Sequence, residues 1–380
     1  MEKDYKTYRV FLSAAEPSGD LHCAGLIRAL KKSGKNIEFF GVGGELMEQE
    51  GCQLLAATVN KAAMLSRAFG RVAFFYNLIR RIRKFLKKEK IDLVIVCDSP
   101  AFNFHIAKAA KKHGVKTLFY VAPQLWAWAG WRIKKLKACC DKLCCILPFE
   151  EDWFGSRGVE TVFVGNPMLD GFESELSDNQ KDYSDFDANK VKIALLPGSR
   201  SAEIATIWEP MQKMAIKLKR KYPGAEFTAI AVDERRKEIL KSMHLLGFRC
   251  KYTTSGVHEI CKEVDFSIVA SGSVTVQVAA TGCPMVVVYQ SSKFLWYLLG
   301  WWLLQTKHLS LVNILSRKEL VPEFMPYFSS IDPVVEAVDE LLSDKEKLSE
   351  LSGELINLTE PLGRNNAAEK TSQIVMEMLE

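Results

Sequence analysis

Long apolar runs are missing from this sequence, and that absence constrains its class first. The longest, Phe294–Leu304, falls well short of the roughly 20 residues needed to span a bilayer. A secretory leader is also missing: Met1–Lys6 is polar, and Val10–Ala15 already reads as a strand. Together these features predict a protein that stays in the cytoplasm. There is no repeat of solenoid period and no low-complexity tract, which argues against repeat arrays and disordered chains. Zinc-ligand spacing is absent too. Of the ten cysteines, Cys139, Cys140, Cys144 and Cys145 cluster, but no second pair or nearby His completes a metal set. They read as small buried hydrophobes, unpaired in a reducing compartment. No nucleic-acid-binding module motif is found, so a DNA or RNA partner is not expected.

What is present is a globular composition, 48% hydrophobic and 26% charged, in 380 residues, enough for two domains. Charge is unevenly spread. Residues 1–170 hold 27 Lys and Arg against 17 Asp and Glu, a balance of +10, while the remainder holds 24 against 29, a balance of −5. A basic first half suits an anionic partner, whether a phosphorylated substrate or an acidic lipid. Strand-like runs at Arg9–Ala14, Ile37–Val42, Asp92–Cys97, Lys116–Val121 and Thr161–Val164 alternate with helical patterns near Leu21–Lys32, Arg71–Lys88 and Phe102–Lys112. Polar Ser174–Lys190 then reads as a linker. A second alternation follows, with strands at Val191–Leu196, Phe227–Ala231, Phe266–Ala270 and Met285–Tyr289 and helices near Ala202–Lys221 and Ser273–Thr281. The fold class is therefore α/β: two doubly wound Rossmann-like domains facing across a cleft, spanning 1–173 and 191–345, with C-terminal helices in 346–380 that can pack back on the first domain or on a partner subunit. In such sheets ligands sit beyond the carboxyl ends of the strands.

Several strand ends carry residues suited to chemistry. Ala15-Glu16-Pro17-Ser18-Gly19-Asp20 closes the first strand and opens a helix, where Ser18 and Gly19 can offer backbone N–H groups to an anion. Helix capping by Ser18 or Asp20 is the plainer reading. Gly41-Val42-Gly43-Gly44 is no dinucleotide fingerprint and can be a simple turn. Cys97-Asp98-Ser99-Pro100 ends a buried strand in a carboxylate, a good place for a general base, though Asp98 or Ser99 could equally cap the next helix. Trp126 and Trp128, followed by Arg132, Lys134, Lys135 and Lys137, suit a sugar, a membrane or a single strand. In the second half, Leu196-Pro197-Gly198-Ser199-Arg200 and Ala270-Ser271-Gly272-Ser273-Val274-Thr275 each end a strand in backbone donors and hydroxyls. The first adds a guanidinium, as a diphosphate requires.

In order and spacing these loops resemble those of the lipid-A-disaccharide synthases. Further matches are Tyr120–Trp128, Leu147–Glu150, Val164–Asp170, Pro284–Tyr289, Val312-Asn313-Ile314-Leu315 and Val321-Pro322-Glu323, so the likeness runs from about Arg9 to the last helix. The resemblance implies a glycosyltransferase of the B architecture at the inner membrane. Its donor is UDP-2,3-diacylglucosamine and its acceptor 2,3-diacylglucosamine 1-phosphate; its products are UDP and a β-1,6-linked disaccharide 1-phosphate. It implies Asp98 as base, Glu16, Ser18 and Gly19 on the acceptor side, and Asn313 as a further active-site residue. Ser199, Arg200, Ser271, Gly272, Ser273 and Thr275 are implied on the donor diphosphate, and Gln277 stands at a ribose-binding position. No metal or cofactor is implied, and a homodimer is.

Acylated substrates require contact with a bilayer. Ala62–Phe85, with Phe69, Phe74 and Phe75 among Arg80, Arg81 and other arginines, suits an interfacial segment, or else an ordinary core-facing helix. Phe294–Leu304 is a second candidate on the same terms. Asp185-Phe186-Asp187 matches the metal motif of a different glycosyltransferase architecture, but lies in the polar linker and reads as solvated charge. Three departures from the family pattern stand out: Ala101 in place of aspartate, Asn166 in place of histidine, and Gln277 in place of glutamate. They keep two other readings open: another UDP-sugar enzyme of this fold, such as an epimerase or a lipid-linked sugar transferase, and a non-catalytic membrane-bound sensor.

Overall fold

The computed structural model describes residues 6–58, 68–172, 175–291 and 306–380. The chain divides into two compact units. One is Met1–Gly171 together with Leu362–Glu380, the other Phe172–Pro361.

The first unit is built on β1 (Tyr8–Ala14), β2 (Ile37–Gly43), β3 (Gln53–Ala57), β4 (Leu93–Cys97), β5 (Lys116–Tyr120), β6 (Lys142–Cys145) and β7 (Thr161–Phe163). They lie in the order β3-β2-β1-β4-β5-β6-β7, and every neighbouring pair is parallel. The sequence dictates this arrangement most clearly in β4, Leu-Val-Ile-Val-Cys, where every residue is buried. A strand without a polar face can only sit in a sheet covered on both sides. The covering helices are α1 (Pro17–Lys31), α2 (Glu45–Gln49), α3 (Ala68–Lys88), α4 (Pro100–Lys112), α5 (Leu125–Trp128), α6 (Ile133–Lys137) and α7 (Pro148–Gly155). Helix α1 buries Cys23, Leu26, Ile27 and Leu30, the i, i+3, i+4, i+7 stripe of a helix lying on a sheet.

The second unit repeats the plan. Strands β8 (Lys192–Leu196), β9 (Glu226–Ile230), β10 (Lys251–Thr253), β11 (Phe266–Ala270), β12 (Met285–Val288) and β13 (Glu323–Phe324) run in the order β10-β9-β8-β11-β12-β13. All neighbours are parallel. Its helices are α8 (Ser201–Lys221), α9 (Glu234–Ser242), α10 (Val257–Glu263), α11 (Val274–Ala279), α12 (Leu311–Ser316), α13 (Asp332–Leu342) and α14 (Lys345–Gly363). The final helix, α15 (Ala367–Leu379), belongs to the first unit. Its Ile374, Val375 and Leu379 join that unit's core. Asp170 caps it, accepting the N–H groups of Ala367 at 2.7 Å and Ala368 at 3.0 Å. Lys32 and Lys35 of the α1 region pair with Glu369 and Glu380.

The segment expected to link the domains is held by contacts. Within polar 175–190, Leu176 is buried, Tyr183 Oη donates to Asp265 O at 2.6 Å, and Asn179 Nδ2 donates to Ala280 O at 2.9 Å. These few anchors bind the segment to the second unit despite its composition. The C-terminal block 346–380 divides between the units, α14 lying mostly in the second and α15 packing back on the first. Asp187 of the Asp-Phe-Asp motif accepts Asn189 N at 3.0 Å, capping a single turn.

Each sheet order reverses direction once, between β1 and β4 in the first unit and between β8 and β11 in the second. Connections leaving the two strands at such a point depart to opposite sides, which opens a crevice at their carboxyl ends. The loops after these four strands are the Glu16, Asp98, Arg200 and Ser271 loops. The topology thus singles out the same four loops as the chemistry.

Candidate functional site

In the first unit, the loops after β1 and β4 are neighbours. Ser99 Oγ lies 3.4 Å from Glu16 Oε1. Glu16 is the N-cap residue of α1 with no side-chain cap bond, and the N–H groups of Ser18 and Gly19 meet no acceptor among the described residues. Asp20 does not serve α1 either. Its carboxylate is buried and accepts Gly44 N at 2.8 Å and Leu46 and Met47 N at 3.2 Å, so it caps α2 and ties the Gly41–Gly44 turn to α1. Gly19 is buried, and a Cβ there would stand 3.3 Å from Ala14 Cβ and 3.6 Å from Cys97 O. Its small size lets the start of α1 sit tightly against the ends of β1 and β4.

Asp98 and Ser99 both adopt left-handed backbone, with φ of 51° and 43°. Two consecutive non-glycine residues in this region are unusual, and each costs on the order of 1–3 kcal/mol. Ser99 is the N-cap residue of α4, with no cap bond from its side chain. Ala101 is exposed in the first turn of α4, whereas Asn166 is buried, its Oδ1 accepting Met168 N at 3.1 Å.

In the second unit, the Gly198 turn (φ 97°) leads into α8. Glu203 folds back over it. Its carboxylate accepts Ser199 N at 3.2 Å, Arg200 N at 3.1 Å and Arg200 Nη1 at 3.0 Å. The backbone donors anticipated at this turn are therefore already engaged, because a glutamate three residues into a helix reaches them first. The Ser199 hydroxyl and the Arg200 side chain remain at the surface.

The loop after β11 is the more open one. Ser271 N donates to Val288 O at 3.0 Å, and the buried Thr275 hydroxyl donates to Gly272 O at 2.8 Å, so both residues brace the loop. The N–H groups of Gly272, Ser273 and Val274 meet no acceptor among the described residues. A Cβ on Gly272 would meet nothing within 4 Å. No protein contact demands glycine there. Gln277 is half-exposed on α11, two turns from the loop's start.

Asn313 is turned inward. It is fully buried on α12, and its side chain is saturated within the unit. Nδ2 donates to Val321 O at 2.8 Å and Glu323 Oε2 at 3.0 Å, while Oδ1 accepts Leu320 N at 2.8 Å and Val321 N at 3.0 Å. An amide has two donors and two acceptor positions, so none is left to face a substrate. Glu323 also accepts Leu309 N and Ser310 N at 3.0 Å, closing a network that shapes 308–323.

One carboxylate of the first unit is fully buried away from these loops. Glu150, on α7, accepts Trp126 Nε1 at 2.8 Å and the N–H groups of Ile146 and Leu147 at 3.2 and 3.1 Å. Burial pushes its carboxyl up to about 7, against the pull of these donors. Trp126 is thereby fixed in the core, not free to stack on a ligand.

Of the bilayer candidates, Phe294–Leu304, residues 62–67 and the side chain of Phe69 lie outside the described residues. The rest of α3 is amphipathic. Leu78, Ile82 and Leu86 are buried, and Arg80, Arg81, Arg83, Lys84, Lys87 and Lys88 are exposed. Phe75 packs on Phe102 of α4 at 5.2 Å and touches Phe74 at 5.5 Å, which makes Phe75 a helix-packing residue. Among the described residues no helix is long and apolar enough to cross a membrane.

Two parallel, doubly wound sheets, each with polar loops at its reversal point, define the B-type fold shared by glycosyltransferases and sugar-nucleotide epimerases. Solved structures agree on the fold. The S. aureus MnaA–UDP co-structure superposes with a TM-score of 0.64 at 15% identity, covering 97% of this chain and 95% of its own. The Neisseria meningitidis UDP-GlcNAc 2-epimerase bound to UDP-GlcNAc gives 0.63 at 13%, covering 98% and 99%. Sequence narrows the class further. The family model described as lipid-A-disaccharide synthetase matches residues 10–378. Lipid-A-disaccharide synthases of Trichlorobacter lovleyi and Geobacter sulfurreducens are 32% and 30% identical, each over 98% of both chains. The chain belongs to the lipid-A-disaccharide synthase family and is a glycosyltransferase.

Proposed function

We propose that this chain joins UDP-2,3-diacylglucosamine to 2,3-diacylglucosamine 1-phosphate at the inner-membrane surface, giving the β-1,6 disaccharide 1-phosphate and UDP. The Asp98 carboxylate takes the proton of the acceptor hydroxyl as that oxygen attacks the donor's anomeric carbon. The bond from that carbon to the UDP oxygen breaks, and UDP departs with the electron pair. Charge growing on the diphosphate is met by the N–H groups of Gly272, Ser273 and Val274, fixed donors that need no reorganisation, and by the guanidinium of Arg200. The open space at Gly272 suits close approach of a phosphate to backbone. The N–H groups of Ser18 and Gly19, with Glu16 beside them, serve the acceptor.

The observation that carries this reading is that the Glu16 and Asp98 loops meet at the reversal point of the first sheet, through Ser99 and Glu16, within a family match that spans the chain. Exposed cations on α3 suit an anionic membrane surface. A coupled assay of UDP release with both lipid substrates, and mass spectrometry of the product, tests it. Asp98→Asn keeps size but cannot take a proton, so kcat should fall by about 10²–10⁴. Turnover near that of the parent removes Asp98 from the role.

A further inference from the structure

The left-handed pair Asp98-Ser99 does not hold itself, and one buried amide faces it. Asn103 lies on α4, fully buried. Its Nδ2 donates to Cys97 O at 2.8 Å and to Asp98 O at 2.6 Å, the two carbonyls flanking the peptide that enters the turn. Its Oδ1 accepts the Ser13 hydroxyl at 2.7 Å, and Ser13 is buried on β1 in register with Val96 of β4. The amide orientation is dictated by chemistry. Two carbonyls can only accept, so the NH₂ end must face them, and the hydroxyl must then donate to the remaining oxygen.

We propose that Asn103, with Ser13 behind it, is a positioning residue that clamps the Asp98 turn and aims its carboxylate. The proposal rests on the reading of Asp98 as base. Three features support it. The two bonds go to the carbonyls on either side of Asp98, and not to a remote part of the loop. The backbone they hold is one that non-glycine residues leave readily when unsupported. The clamp is anchored on β1, the strand that also leads to Glu16, so it registers the two halves of the loop pair against each other. Asp98's own N–H, bonded to Tyr120 O at 3.3 Å, is too long a contact to do this alone.

The test uses the full-length chain and the coupled UDP-release assay. Asn103→Ala should lower kcat by about 10–100-fold, the scale expected for a reacting group displaced by about 1 Å. KM for both substrates should stay within about threefold, and UDP affinity by titration should be unchanged. In an Asp98→Asn background the same substitution should cost nothing further, because a residue that acts through Asp98 has no effect once the carboxylate is gone. A role confined to general stability would instead give equal losses in both backgrounds, and that result overturns the proposal. So does Asn103→Ala with unchanged kcat while Asp98→Asn is impaired. Unimpaired Asp98→Asn alone condemns the base assignment, and the clamp with it. If Asn103→Ala loses its cooperative melt, Ser13→Ala decides. It frees one end of the amide and should lower kcat by about 3–10-fold with KM unchanged; full activity there refutes the clamp.

Discussion

At the scale of single residues, the four loops separate groups already engaged from groups still available. Glu203, Asn313, Thr275 and Asp20 are polar residues near the sheet ends whose hydrogen bonds turn inward and shape loops. Among the described residues, groups without an acceptor or donor inside the protein include the Gly272–Val274 amides, the Ser18 and Gly19 amides, and Gln277. The last is the most informative. A glutamate could accept from both ribose hydroxyls, whereas glutamine brings one acceptor oxygen and an NH₂ donor. No Asp or Glu occurs between Asp265 and Glu319 to stand in nearby in sequence. Gln277→Glu is therefore expected to tighten UDP binding by about 5–30-fold, the yield of exchanging neutral for charged hydrogen bonds. Titration with UDP, and with an analogue lacking both ribose hydroxyls, checks this. The gain should vanish with the analogue, and an unchanged Kd for UDP itself would show that the ribose is held elsewhere. Which polar residues were engaged was not legible in the sequence, since Asn313 is satisfied by 320–323 and Asp20 by 44–47. Glu203 is the exception: a glutamate three residues past Arg200, at a helix start, is a visible capping pattern.

Secondary-structure elements were legible where burial was complete and obscure where it was not. Strands β1, β4, β8 and β11 are apolar runs at the centres of their sheets, and the sequence predicts each to within a residue or so. Strands β3, β10 and β13 escape because they are short edge or near-edge strands with mixed burial, so no apolar run marks them. Strand β6 is obscured because it is only Lys142–Cys145, half of it cysteine, with no β-branched residue to mark a strand. Helix α3 has two faces of different character. Its buried stripe and its Phe75–Phe102 contact hold it to the first unit, leaving its cationic face exposed. Phe75→Ser is accordingly expected to lower stability by about 1–3 kcal/mol in denaturant melts. The pair Arg80→Glu and Arg83→Glu should leave the melt intact. It should weaken binding to anionic vesicles by roughly 1 kcal/mol for each cation removed or more, and binding that is indifferent to both would place the membrane contact elsewhere.

For the whole molecule, one buried base sets an acid limit. His22 is packed inside the first unit with its Nδ1 unpartnered, and burial lowers its pKa from 6.5 to about 4. Above 6.5 neither folded nor unfolded chain holds the extra proton, and this group's contribution is constant. As pH falls towards 4 the unfolded chain takes up a proton that the folded chain refuses, so stability is lost, by up to roughly 3 kcal/mol. Chemical denaturation at pH 7.5 and pH 4.5 should therefore show a smaller pH penalty for His22→Leu than for the parent, and equal penalties would show that His22 does not contribute. The other molecule-wide feature is the path of the chain. Unit two is contiguous, Phe172–Pro361, but unit one is finished only by the last nineteen residues, Leu362–Glu380, whose helix supplies Ile374, Val375 and Leu379 to its core. A ribosome builds from the amino end, so the half that carries Asp98 emerges first and must wait longest for its final piece. The second unit can fold while that piece is still unmade. A chain that lacks α15 keeps every residue of the proposed chemistry, yet leaves the apolar bed of that helix bare.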